Sequence, residues 1–143
     1  NNFDNMNITH IEHIGIAVRD LEASNELFRK LLGSEHYKTE SVASEHVTTS
    51  FFQIGESKIE LVGSDPEVET AISKYISKKG QGIHHLAFEV DDILESMQEM
   101  REKGFILLNE EPKPGADNKL ICFLHPKSTN GVLVELCQSI KSR

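Results

Sequence analysis

The chain has 143 residues and carries 15 Lys plus Arg against 23 Asp plus Glu, a formal net charge of −8 with neutral histidines. That length predicts one domain able to bury a sizeable core without disulfides or a structural metal, and no apolar run approaches the roughly 18 residues of a membrane span. Net −8 argues against a general nucleic-acid binder, which needs a basic face for phosphate, and the apolar fraction of 38% argues against disorder. The charge is uneven: residues 1–66 are net −6, whereas residues 113–143 are net +3, so a local anion site stays open. Cys122 and Cys137 lie in apolar runs without CxxC spacing and read as reduced cytosolic thiols.

In chain order, Asn1 to Asn5 reads as a processing remnant or an added segment, because a start at Met6 leaves the first strand almost at the terminus. Ile11 to Val18 is a predicted strand. Asp20 is placed to cap a helix with Leu21, Leu27, Phe28, Leu31 and Leu32 on one face, stopped by Gly33. Strands follow near 36–42, 47–54 and 58–63, the last two joined at Gly55-Glu-Ser57. Pro66 to Lys79 is a predicted linking helix with Pro66 in its first turn and Gly80 at its end. Then come a strand at 83–90, a helix at 92–103 ending at Gly104, and strands at 105–109, 119–124 and 131–137. The turn-rich stretch 110–118 is expected to be a mobile loop.

The order repeats because the sequence does. His13-Ile-Gly-Ile-Ala-Val-Arg-Asp20 lines up with His85-Leu-Ala-Phe-Glu-Val-Asp-Asp92, and Lys58-Ile-Glu-Leu-Val-Gly-Ser64 with Leu133-Val-Glu-Leu-Cys-Gln-Ser139. The expectation is one α+β domain over 1–143, made of two β-α-β-β-β modules at about 8–65 and 81–140 with a linking helix at about 66–80.

Strand side chains alternate between faces, which sorts neighbours without a structure. Ile14, Ile16 and Val18 share one face, and His13, Gly15 and Ala17 the other; Leu86, Phe88 and Val90 oppose His85, Ala87 and Glu89 in the same way. Glu60 opposes Ile59 and Leu61, and Glu135 opposes Val134 and Leu136. Any one of these polar residues alone reads as solvated or hydrogen-bonded. Their equivalence in two modules adds a second reading, two imidazoles and two carboxylates for a divalent first-row ion with open positions, suited to catalysis. Of the other histidines, His36 and His46 lie near strand ends and are expected to meet water, while His125, before Pro126, is either a turn residue or a ligand contact.

Several segments carry a family resemblance: His13 to Val18 with Asp20-Leu21, Gly82-Ile-His-His-Leu-Ala-Phe-Glu-Val-Asp91, Asn109-Glu-Glu-Pro-Lys113, and Phe123-Leu-His-Pro-Lys-Ser128 running into Gly131-Val-Leu-Val-Glu-Leu136. Across about Ile8 to Gln138 the chain resembles the vicinal-oxygen-chelate superfamily and, within it, the methylmalonyl-CoA epimerases. The resemblance implies a cupped, curved mixed sheet around a metal site with helices on the outer face. It implies that His13, Glu60, His85 and Glu135 hold one divalent ion per subunit, cobalt, manganese or zinc; some relatives have Gln at the position of Glu60. It also implies interconversion of (2R)- and (2S)-methylmalonyl-CoA in propionate metabolism, through a metal-stabilised enolate. The implied partner is a CoA thioester, with neither nucleic acid nor membrane, in a homodimer located in the cytoplasm, or in the mitochondrial matrix if the chain is eukaryotic and processed.

On that reading Glu135 is the first candidate base and Glu60 its counterpart on the opposite face, with Glu45 a weaker candidate. Two places depart from the family pattern: the loop Pro114-Gly-Ala-Asp-Asn118, and the neighbourhood of Thr49, where one kind of epimerase carries a second catalytic glutamate. Lys119, His125 and Lys127 are the expected substrate-binding residues, in a stretch with Lys113 that is locally basic enough for a polyanionic ester. A glyoxalase I-type isomerase would use much the same ligands but is disfavoured by His125-Pro-Lys127. A ring-cleaving dioxygenase is disfavoured by length. A metal-free binding protein on the same scaffold is disfavoured by the intact ligand set.

Overall fold

Asp20 and Asp92 perform the same task at the two places where a strand turns into a helix. Strand β1 (Ile8–Val18) leads to helix α1 (Leu21–Leu32), whose Ala23 N–H donates to the Asp20 carboxylate at 3.1 Å. Strand β5 (Gly82–Val90) leads to helix α3 (Ile93–Glu102), whose Glu95 N–H donates to Asp92 at 3.0 Å. Each carboxylate satisfies a first-turn donor that the helix itself leaves open. α1 ends at Gly33, with φ 75°, a left-handed turn that glycine adopts without a Cβ clash. The computed structural model describes residues 7–140; the reading of Asn1 to Asn5 as a remnant lies outside the described residues.

The described chain divides into two compact units, residues 13–84 and residues 7–12 with 85–140. In the first, β1 pairs in parallel with β4 (Ser57–Ser64), and β3 (Val47–Ile54) and β2 (Lys38–Val42) follow in antiparallel order. Leu21, Phe28 and Leu32 of α1 pack on Val18, Phe52 and Leu61. Leu27 and Leu31, expected on the same apolar face, are 61% and 70% exposed. Helix α2 (Ala71–Lys79) sets Ile72 against Ala17 and Val62. Those two residues share strand parity with His13 and Glu60, so α2 lies on the site face of this sheet rather than on its outer face.

In the second unit β5 pairs in parallel with β8 (Val134–Ser139), and β7 (Lys119–Leu124) and β6 (Lys113–Gly115) follow in antiparallel order. Ile93, Met97 and Met100 of α3 form a core with Val90, Cys122, Leu124 and Leu136. Each unit is therefore a mixed sheet with a parallel inner pair. No helix among the described residues is long and apolar enough to cross a membrane.

Besides shifts of a few residues at strand ends, such as β1 beginning at Ile8 and β8 at Val134, three elements differ from expectation. The linking helix starts at Ala71, not at Pro66, because Thr70 and Ser73 close a capping box: the Ser73 N–H donates to Thr70 Oγ1 at 3.1 Å and the Thr70 N–H to Ser73 Oγ at 2.8 Å. The strand expected at 105–109 is reduced to one bridge, Leu107 to Leu124. There the Asn109 side-chain oxygen accepts the Phe123 N–H at 2.9 Å, a donor that a strand partner would otherwise use. The edge strand is β6 instead, inside the stretch expected to be a mobile loop, and it joins β7 through Asp117 and Asn118 at φ 59° and 58°, residue types that tolerate the left-handed region.

Replacing Thr70 by Ala removes the cap and is expected to cost about 0.5–2 kcal/mol. Urea denaturation reads this as a lower midpoint at unchanged slope; an unchanged midpoint would contradict the role given to the cap.

Candidate active site

In the 13–84 unit the parallel register places Gly15 opposite Glu60, so that His13 stands one same-face position back along β1. Gly15 has no side chain, and the Glu60 carboxylate meets the imidazole: His13 Nε2 and Glu60 Oε1 are 3.2 Å apart, with the residues 5% and 6% exposed. The 85–140 unit repeats the arrangement with the next smallest residue. Ala87 lies opposite Glu135, His85 stands two residues back, and His85 Nε2 is 3.5 Å from Glu135 Oε1, both residues again buried. Phe123, paired with Glu135 across β7 and β8, sets its ring edge-on to His85 at 6.1 Å and 86°. Each unit thus holds one buried imidazole–carboxylate pair.

These donors fit a metal ion. Ligand bonds of about 2.0–2.2 Å at angles between square and tetrahedral set neighbouring N and O ligands about 2.8–3.6 Å apart, the spacing that both pairs already have. The thiols of the second unit are not part of such a set. Burial, and then the charge of Glu135, push the Cys122 thiol up to about 11. Burial followed by Glu135, Glu12 and Glu89 pushes Cys137 up as well. Both remain protonated at neutral pH, and a thiol in that state is neither nucleophile nor ligand.

The sequence profile of the Glyoxalase/Bleomycin resistance protein/Dioxygenase superfamily matches residues 12–123. The ethylmalonyl-CoA/methylmalonyl-CoA epimerase of Cereibacter sphaeroides is 40% identical over 133 residues, 92% of this chain and 98% of that one. A variant of Streptomyces coelicolor methylmalonyl-CoA epimerase, solved with 2-nitronate-propionyl-CoA, superposes with a TM-score of 0.89 at 36% identity over 94% of this chain and all of its own. The chain belongs to the methylmalonyl-CoA epimerase family. A further epimerase structure, in complex with methylmalonyl-CoA and ammonium, has a TM-score of 0.88 at 37% identity and covers 93% of this chain and 96% of that one.

Elsewhere in this family member the expected site residues take varied positions. Lys119, expected to meet a substrate anion, is 7% exposed: its Nζ lies 2.9 Å from Glu89 Oε1, 2.7 Å from Ser139 Oγ and 3.6 Å from Glu12 Oε2. Glu89 also accepts the Ser139 N–H and hydroxyl, each at 3.0 Å. Glu12 and Glu89 carry only a weak sequence signal as partners of Lys119, a carboxylate inside each apolar strand run. His125 caps the short turn Pro126–Ser128, with its Nδ1 accepting the Lys127 N–H at 3.0 Å. The Lys127 ammonium is exposed and, among the described residues, forms no ion pair. Glu45 is exposed on the turn Ala43–Glu45 between β2 and β3, and Thr49 is buried on the Glu60 face, donating to the Glu40 carbonyl at 3.4 Å. His36, expected to meet water, instead lies edge-on to Phe52, with Nδ1 buried and lacking a hydrogen-bond partner.

Removing the Lys119 ammonium takes a cation away from buried Glu12 and half-buried Glu89. Lys119→Ala is expected to lose about 3–5 kcal/mol of stability, and Lys127→Ala, at the surface, less than about 0.5 kcal/mol. Equal denaturation midpoints for the two variants would contradict the assignment of Lys119 to a buried network.

Proposed function

We propose that this chain epimerises methylmalonyl-CoA, exchanging the proton on the carbon between thioester and carboxylate, with one divalent ion shared by His13, Glu60, His85 and Glu135. The observation that carries the proposal is the repeated buried imidazole–carboxylate pair, with an N···O distance of 3.2 Å in one unit and 3.5 Å in the other. The methylmalonyl-CoA and nitronate complexes of family members support the substrate class. Two imidazoles with two carboxylates suit cobalt, manganese or zinc.

The chemical difficulty is the negative charge that develops at the thioester oxygen as the proton leaves. A divalent ion held by the four side chains supplies positive charge at that oxygen. Glu135, as the carboxylate, would take the proton from one face of the carbon, and Glu60, entering protonated with its bond to the ion loose, would return one to the other face, so that each turnover puts one proton on Glu135 and takes one from Glu60. Both carboxylates are nearly dry, which keeps bulk water off the reacting carbon, so that the proton it receives is one that the second carboxyl has taken from solvent between turnovers. The edge of Phe123 holds the His85 ring in orientation. Glu45, on its exposed turn, is the alternative to Glu60 for the second face. Lys127, beside His125, offers its charge to the substrate's anionic groups. The same reading carries a homodimer, a role in propionate metabolism and a cytoplasmic or mitochondrial-matrix location.

Metal analysis and isotope exchange test this together. Wild-type protein is expected to carry one ion per chain, and His13→Ala and His85→Ala each to lose it; full retention by either variant would contradict a shared ion. Glu135→Gln is expected to keep the fold and slow deuterium entry at the reacting carbon by about 100-fold or more. Exchange at the wild-type rate would contradict the base assignment, and the same measurement on Glu60→Gln and Glu45→Gln separates the two candidates for the second face.

A further inference from the structure

Apart from the two pairs, the 13–84 unit holds a cavity of about 580 Å³ at the carboxyl ends of β1 and β4, lined by Arg19, Leu21, His46, Thr48, Asp65 and Pro66 among others. The size is that of a small-molecule site, about 300–1,000 Å³. Arg19 is fixed at the junction of β1 and α1 by its backbone N–H, which donates to Gln81 Oε1 at 2.7 Å. Among the described residues no carboxylate pairs with its guanidinium, and the Thr48 hydroxyl has no hydrogen-bond partner. His46 adopts φ 54°, a left-handed conformation that histidine tolerates, as it closes the turn Ala43–Glu45. It is held there by its own carbonyl, which accepts the Asp65 N–H at 2.8 Å.

We propose that this cavity binds a phosphate ester bearing free hydroxyls, either the nucleotide end of a CoA ester or a free nucleotide. The guanidinium is a planar fork whose donors match two phosphate oxygens. His46 and Thr48 add donors on the same cavity. Asp65 is the wrong charge for a bare anion but the right acceptor for a sugar hydroxyl, and Leu21 and Pro66 give apolar cover to a base. That the nucleotide belongs to the substrate rests on the epimerase reading above; the cavity itself does not.

The test titrates the full chain with adenosine 3′,5′-bisphosphate by calorimetry, comparing wild type with Arg19→Ala and Thr48→Val, each checked for an unchanged melting temperature. One-site binding is expected, weakened about tenfold by Arg19→Ala and less by Thr48→Val. Turnover of methylmalonyl-CoA is then compared with that of methylmalonyl-pantetheine. A KM for the CoA ester raised about tenfold in Arg19→Ala, against an unmoved KM for the pantetheine ester, assigns the cavity to the substrate's own nucleotide. Weakened bisphosphate binding with both KM values unmoved assigns it to a free nucleotide. No bisphosphate binding, or equal affinity in wild type and both variants, overturns the proposal. Bisphosphate binding without any wild-type turnover overturns the epimerase reading and leaves the cavity assignment standing.

Discussion

An imidazole and a carboxylate buried on the same strand face have to be neighbours, and the parallel pairing of the first and last strand of each unit makes them so. A polar group taken out of water without a partner costs several kcal/mol, and a charged one more. In both units the histidine stands two residues before the small residue, Gly15 or Ala87, that faces the glutamate, so no bulky side chain of that strand stands beside the carboxylate and the ring. Parallel neighbours cannot be joined by a tight hairpin; they need a crossover of a dozen or more residues. α1, β2 and β3 fill that crossover in one unit and α3, β6 and β7 in the other. The β-α-β-β-β order is thus the consequence of needing those two strands side by side.

Charge follows the same logic of pairing. The net −8 of the chain suggests a protein hostile to anions, yet Glu12, Glu60 and Glu135 are buried, each beside a cation or an imidazole. A divalent ion on the two pairs would neutralise much of what remains inside. The basic C-terminal stretch is correspondingly less available than its composition implies. Lys119 is enclosed by Glu12, Glu89 and Ser139, which leaves Lys127 as the lysine of the pair that presents its charge to solvent. Among the described residues Arg19 forms no ion pair, and it lies in the acidic part of the sequence, where a charge count directs no attention.

Much of the architecture is written in short-range signals. Strand parity alone separated His13, Glu60, His85 and Glu135 from the apolar faces, because alternation is a property of the backbone, and the two Asp caps and Gly33 mark helix ends through local hydrogen bonding. What sequence reading missed depends on side chains meeting across the chain. Asn109 takes the Phe123 N–H and so suppresses a strand with good apolar content, and the reciprocal bonds of Thr70 and Ser73 outweigh Pro66 as a helix start. α1 turns Leu21, Phe28 and Leu32 inward rather than Leu27 and Leu31, since a helical stripe has a face only once its partner strands are in place. The partners of Lys119 come from three different strands, a convergence that no spacing rule encodes.

The account turns on proton exchange at one carbon. Metal-loaded wild-type protein incubated in deuterium oxide with a single epimer of methylmalonyl-CoA reports it directly, with epimer balance and label at that carbon followed in the same sample. The account requires the two epimers to approach equal amounts while deuterium enters the reacting carbon, and both changes to stop when the ion is removed. A substrate that keeps its configuration and its proton in the presence of the ion would contradict it.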